Sequence, residues 1–278
     1  MTNYPIADYD DAYANGAYIP GASDYPPRWA KQASQFRMQM ESQQKARLDL
    51  RYGDRPRNAL DLFLPGIAPK GLAVFVHGGY WQAFDKSSWS HLAAGALAHG
   101  YAVAMPSYTL CPDIRIGGIA REIAAAVSFA AGEIGGPVHL TGHSAGGHLV
   151  TRMISGEPLL PEAVLRRIAG VTSISGVHDL RPLMHTGMND TLHIDAPDAQ
   201  TESPVLLTPL AAIPVAAWVG ANERPEFVRQ NRALYDMWRG FATSMSIQED
   251  PGKHHFDVID GLADPEHPLC RAFLGLDG

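Results

Sequence analysis

The chain has 278 residues, 46% of them hydrophobic, which is enough to bury a substantial core in one domain. A formal net charge of −7 with no cluster of Lys or Arg excludes the basic surface that nucleic-acid binding requires. The polar, acidic, Pro- and Gly-rich start and the lack of any membrane-length apolar run predict neither a secretory signal nor a membrane anchor, so the cytoplasm is the expected location.

In chain order, residues 1–27 read as irregular and 28–45 as a polar helix. Residues 46–53 and 58–66 then alternate apolar with polar around a turn-prone link, predicting two antiparallel strands joined as a hairpin. Short continuous apolar runs follow at 72–78, 101–108, 138–144, 168–175 and 214–220, as expected of strands buried on both faces. Helix-compatible spacing separates them at 86–99, 118–133 and 145–155. A further helix is expected at 225–238, a last strand at 244–249, and a closing helix after it. Such alternation predicts an α/β fold: a mostly parallel sheet opened by an antiparallel hairpin, with helices on both faces. We expect one domain over 1–278 without a large separate cap. The extension 1–45 and the irregular insertion 176–210 are the segments available to roof a site. Cys111 and Cys270 are expected to be buried, reduced thiols.

Gly142-His143-Ser144-Ala145-Gly146 falls where a predicted strand meets a predicted helix. In that context G-x-S-x-G bends the backbone sharply, exposes the serine hydroxyl, and sets it at a helix N-terminus that favours developing negative charge. Ser144 is therefore the candidate nucleophile. Upstream, an apolar strand runs into His77-Gly78-Gly79-Tyr80-Trp81. Acyl transfer needs N–H donors aimed at the oxygen that becomes negative, and glycines let a loop turn its amides inward. The amides of Gly79, Tyr80 and Ala145 are the candidates for this oxyanion hole, with His77 bracing the turn.

With the nucleophile on such a turn, an acid and then a histidine are expected further along the chain. His254 and His255 follow the last predicted strand, while His267 falls at the start of the closing helix. Glu223, just past the strand 214–220, is the candidate acid that would hold the imidazole in its working tautomer. Its rivals are Glu226, Asp250 and Asp257. His143 and His148 stand five apart, off the i, i+4 spacing of helical metal ligands, so no metal is expected. No cofactor is predicted.

These residues together resemble the kynurenine formamidase branch of the α/β-hydrolases, near the hormone-sensitive-lipase-like esterases. The resemblance rests on His77 to Gln82, on Gly142 to His148, on Ser175 to Leu183, on Glu223 to Phe227, and on His255-Phe256-Asp257. Tyr80 stands where the lipase-like esterases carry a third Gly, and Glu223 where better-known eukaryotic relatives carry Asp. The resemblance selects His255 over His254 as the base. It implies a serine hydrolase that cleaves a small aryl formamide or a small acyl ester, with a general short-chain carboxylesterase as the alternative and a non-catalytic binding protein as the remote one. The partner expected is a small molecule, neither nucleic acid nor membrane, and a homodimer stays open. Tyr80, Trp81 and His143 are the candidate substrate contacts, the first two as an aromatic wall.

Overall fold

The computed structural model describes residues 7–241 and 244–276. Its eight strands are β1 (Ala46–Arg51), β2 (Ala59–Phe63), β3 (Leu72–Val76), β4 (Ala102–Pro106), β5 (Val138–His143), β6 (Ile168–Ile174), β7 (Val215–Gly220) and β8 (Met245–Asp250). They form one sheet in the order β1-β2-β4-β3-β5-β6-β7-β8. The pairings β1–β2 and β2–β4 are antiparallel and all others parallel, which is the sheet that the hairpin and the later apolar runs predict.

Continuous apolar runs are needed because both faces of the inner strands are covered. On β3, Leu72, Val74 and Val76 join one core with Leu140 and the helices Ile116–Glu133, Ala145–Arg152 and Pro225–Trp238. Ala73 and Phe75 point the other way, into a second core with Phe63, Val103 and Met105. Helix Ile116–Glu133 buries Ile116, Ile119, Ile123 and Val127, a stripe spaced by three and four. Each fully buried aliphatic side chain there contributes roughly 1.5–3 kcal/mol.

The second core is closed by helix Tyr25–Ser42, which starts with prolines in its first turn and buries Trp29, Ala33 and Met40. This helix begins three residues earlier than the sequence reading placed it. The stretch before it is also less irregular than expected, because Asp8 caps a short helix, Tyr9–Tyr13, by accepting from the Asp11 amide. The first six residues of that expectation lie outside the described residues. The helix predicted over 86–99 is broken into two 3₁₀ turns and the short helix Ala94–Ala98. Local side-chain bonds compete with it: Asp85 takes the Ser87 amide and hydroxyl, and Lys86 is drawn to buried Asp61 at 2.7 Å. Among the described residues, no helix is long and apolar enough to cross a membrane. Cys111 and Cys270 are unpaired and buried, and burial pushes both thiols up to about 11.

Candidate active site

Strand β5 ends at His143 and the next helix starts at Ala145, so Ser144 alone makes the turn, with φ 56°. A left-handed residue other than Gly costs of order 1–2 kcal/mol, and packing must hold it there. The Ser144 amide donates to the Ile174 carbonyl at 2.8 Å. The flanking small residues are a steric necessity. A Cβ on Gly146 would fall 1.9 Å from the Val76 carbonyl oxygen, so nothing larger lets this helix start sit against β3.

The loop after β3 comes close enough to touch this turn. A Cβ on Gly78 would meet the His143 carbonyl oxygen at 2.8 Å and the Ser144 Cβ at 3.0 Å. Gly79, Tyr80 and Trp81 all have positive φ, at 106°, 48° and 58°. The turn's own bonds run from the Gln82 and Ala83 amides to the Gly79 carbonyl, each 3.0 Å, which leaves the Gly79 and Tyr80 amides outside its ladder. His77 stacks on Tyr108 at 4.3 Å, and its Nδ1 lies 2.7 Å from the Gly78 carbonyl oxygen. Burial lowers its pKa to about 4, so this imidazole is a neutral brace.

Past β7, Glu223 Oε2 lies 2.6 Å from His255 Nδ1, and both side chains are buried. The other carboxylate oxygen accepts from the Gly220 amide at 2.8 Å and from the Ser175 hydroxyl at 2.5 Å. Three donors therefore fix this carboxylate, which in turn fixes the ring. The rival residues are engaged elsewhere. His254 bonds the Tyr25 hydroxyl at 3.0 Å and pairs with Asp257, while His267 caps the last helix by accepting from the Leu269 amide. Asp250 accepts from the Trp218 indole, and Glu226 from Tyr13 and Arg229.

Ser144, His143 and His255 line one cavity of about 350 Å³, together with Gly78, Gly79 and Tyr80. His143 sits with its ring 4.5 Å from that of His255, and burial, with the neighbouring imidazole, holds its pKa well below the usual range. Trp81 corrects the expected aromatic wall. It is fully buried, with its ring perpendicular to that of His148, and does not line the cavity; its backbone there is left-handed. Tyr80 does line it, and the rest of the wall comes from Trp29 with Phe84, Trp89 and Phe256, whose three rings stand 4.7–6.2 Å from that of Trp29. Tyr13 and Asn15 of the N-terminal extension complete it.

The roof expected from 176–210 is corrected too, since no residue of that insertion lines the cavity. Its apolar residues Leu180, Leu183 and Leu192 are spent in the core. The insertion contacts the extension: the Gly187 amide donates to Asp10 at 2.8 Å, and His185 packs on Tyr9 at 4.9 Å.

Two further histidines, His148 and His178, are held neutral by burial, with pKa lowered to about 3. With His77 they titrate below the value near 6.5 that they take once unfolded. Between those values the unfolded chain binds more protons, so stability falls as pH drops from about 6.5 toward 4. The expected result is a melting temperature that is flat at neutral pH and then falls steeply, losing up to about 4 kcal/mol per pH unit for three protons. Calorimetric scans from pH 7.5 to 4.5 check this, and a constant Tm would contradict the neutral buried rings.

Comparison with known proteins finds a match over residues 73–275 to the family described as the alpha/beta hydrolase family. Among solved structures, a provisionally assigned thioesterase from Silicibacter sp. TM1040 is similar, with 54% identity, TM-score 0.91, and coverage of 96% of this chain and 99% of that one. Among curated proteins, kynurenine formamidase of Danio rerio is 27% identical over 242 residues, covering 83% of this chain and 82% of that one. The kynurenine formamidase of Salmo salar is 26% identical with the same coverage.

Proposed function

We infer the reaction from one premise: the chain belongs to the alpha/beta hydrolase family, in the branch similar to kynurenine formamidases, and is an enzyme of hydrolase type. Within that family we read it as a serine hydrolase whose triad is Ser144, His255 and Glu223. The Ser144 hydroxyl attacks a carbonyl carbon while His255 takes its proton, and the amides of Gly79, Tyr80 and Ala145 hold the oxyanion. His255 then protonates the departing amine or alcohol, and water releases the acyl group from Ser144. Glu223 keeps the imidazole oriented and stabilises its protonated form. The observation that carries this reading is the 2.6 Å Glu223–His255 pair, whose imidazole lines the same cavity as a serine at φ 56°.

The substrate class we propose is a small aryl formamide, N-formylkynurenine-like, or a small acyl ester. The wall of Trp29, Phe84, Trp89 and Phe256 favours an aromatic group beside the reacting carbonyl. A volume of about 350 Å³ lies at the small end of the roughly 300–1,000 Å³ of small-molecule sites. A short-chain carboxylesterase is the second reading: the 54%-identical structure is provisionally assigned to thioester hydrolysis, which passes through the same kind of acyl transfer. A cytoplasmic location and a single domain over 1–278 belong to the same proposal.

The test is kcat/KM for N-formylkynurenine beside p-nitrophenyl acetate, butyrate and decanoate. Turnover of formyl or acetyl substrates is expected, falling steeply beyond about four to six acyl carbons, because each added CH₂ gains about 0.8 kcal/mol only where there is room. Preference for the decanoate over the acetate would refute the small cavity and leave a lipase-like esterase.

A further inference from the structure

Tyr80 combines two features that the proposed chemistry does not use. Its backbone is left-handed, φ 48°, at a position where an ordinary side chain rests poorly and Gly would rest easily. Its hydroxyl reaches the N-terminal extension, donating to the Tyr13 carbonyl at 2.7 Å and receiving a longer bond from Asn15 Nδ2 at 3.4 Å. Tyr13 is itself buried and bonded on its phenol. It is 2% exposed, its phenol donates to Glu226 Oε1 at 2.8 Å, and Gln230 donates to that phenol at 3.0 Å. Glu226 accepts in turn from Arg229 Nε and Nη2, each at 2.7 Å. A carbonyl of the well-held Tyr13 thus anchors the hydroxyl of a loop residue that lines the same cavity as Ser144.

We propose that Tyr80 is a positioning residue, whose hydroxyl, bonded to the Tyr13 carbonyl, holds the oxyanion-hole amides in their working orientation. The inference rests on the serine-hydrolase reading and adds to it. The extension before β1 becomes a working part of the site, since it supplies the acceptor that fixes the loop conformation. It also accounts for a tyrosine where a glycine would relieve the backbone: the anchor offsets the conformational cost. An oxyanion hole acts only on the charge that develops in the transition state, so loosening it lowers kcat and leaves ground-state binding in place.

The experiment compares Tyr80→Phe with the wild-type enzyme on p-nitrophenyl acetate and with phenylboronic acid, which forms a tetrahedral adduct on a nucleophilic serine. Removing the one oxygen is expected to lower kcat about 10- to 100-fold with KM within about twofold, and to weaken the boronate by a similar factor. A purely structural role would instead lower Tm and leave kcat of the folded enzyme intact. Asn15→Ala reads the same link independently: it should lower kcat more mildly, and cost nothing further in the Tyr80→Phe background. Wild-type kcat and boronate affinity in Tyr80→Phe, or an Asn15→Ala effect that persists undiminished in that background, overturns the proposal. A wild-type enzyme that hydrolyses no substrate and binds no boronate overturns the serine-hydrolase reading itself, which is a separate outcome.

Discussion

Ser144→Ala is expected to abolish turnover and leave the fold intact. The substitution removes one oxygen from a side chain that is already 2% exposed, at a backbone position where Ala is strained no more than Ser. Neither the Ser144 amide bond to Ile174 nor the close approach of Gly146 to β3 depends on the hydroxyl. Removing the nucleophile of a working triad costs about 10⁴- to 10⁶-fold in kcat, with a residual rate from the oxyanion hole and binding. Circular dichroism and Tm should match wild type. If the folded variant kept more than about a tenth of wild-type activity, a loss below about 1.4 kcal/mol, Ser144 would not be the nucleophile.

The second large effect separates two adjacent histidines. His255→Ala is expected to match Ser144→Ala, while His254→Ala should be far milder, because His254 bonds Tyr25 and Asp257 outside the Glu223 pair. Glu223→Gln should fall between them, up to about 10⁴-fold in kcat. An amide cannot accept at once from the His255 ring, the Gly220 amide and the Ser175 hydroxyl, so its NH₂ meets a donor on one side or the other. Asp250→Asn should lose little, since that carboxylate accepts from the Trp218 indole. Steady-state kinetics on the four variants check the set, and a severe Asp250→Asn loss beside a mild Glu223→Gln loss would move the acid.

What the sequence makes legible here is what is contiguous. The strands of the inner sheet are read from runs such as Leu72–Val76, because burial on both faces demands an unbroken apolar stretch. The turn at Ser144 and the loop at Gly78 are likewise written in adjacent residues, since their steric demands fall on neighbours in the chain. The cavity wall is different. Trp29 sits in a polar helix more than a hundred residues from Ser144, and nothing in its local pattern says that its ring meets Phe84, Trp89 and Phe256. Trp81, which stands in the loop itself, is buried on a left-handed backbone that no side-chain pattern encodes. The insertion 176–210 misleads for a related reason: its leucines resemble a lid's apolar lining but are spent in the core. Sequence distance also hides the Tyr80–Tyr13 bond, which joins positions 67 apart through a main-chain carbonyl.

The most direct test of the central claim is covalent. Incubated with a fluorophosphonate probe and analysed by intact mass and peptide mapping, the wild-type protein should gain one adduct, on Ser144, and His255→Ala should label far more slowly. An unlabelled wild-type protein, or an adduct mapped to any other residue, would contradict the assignment of Ser144 as an activated nucleophile.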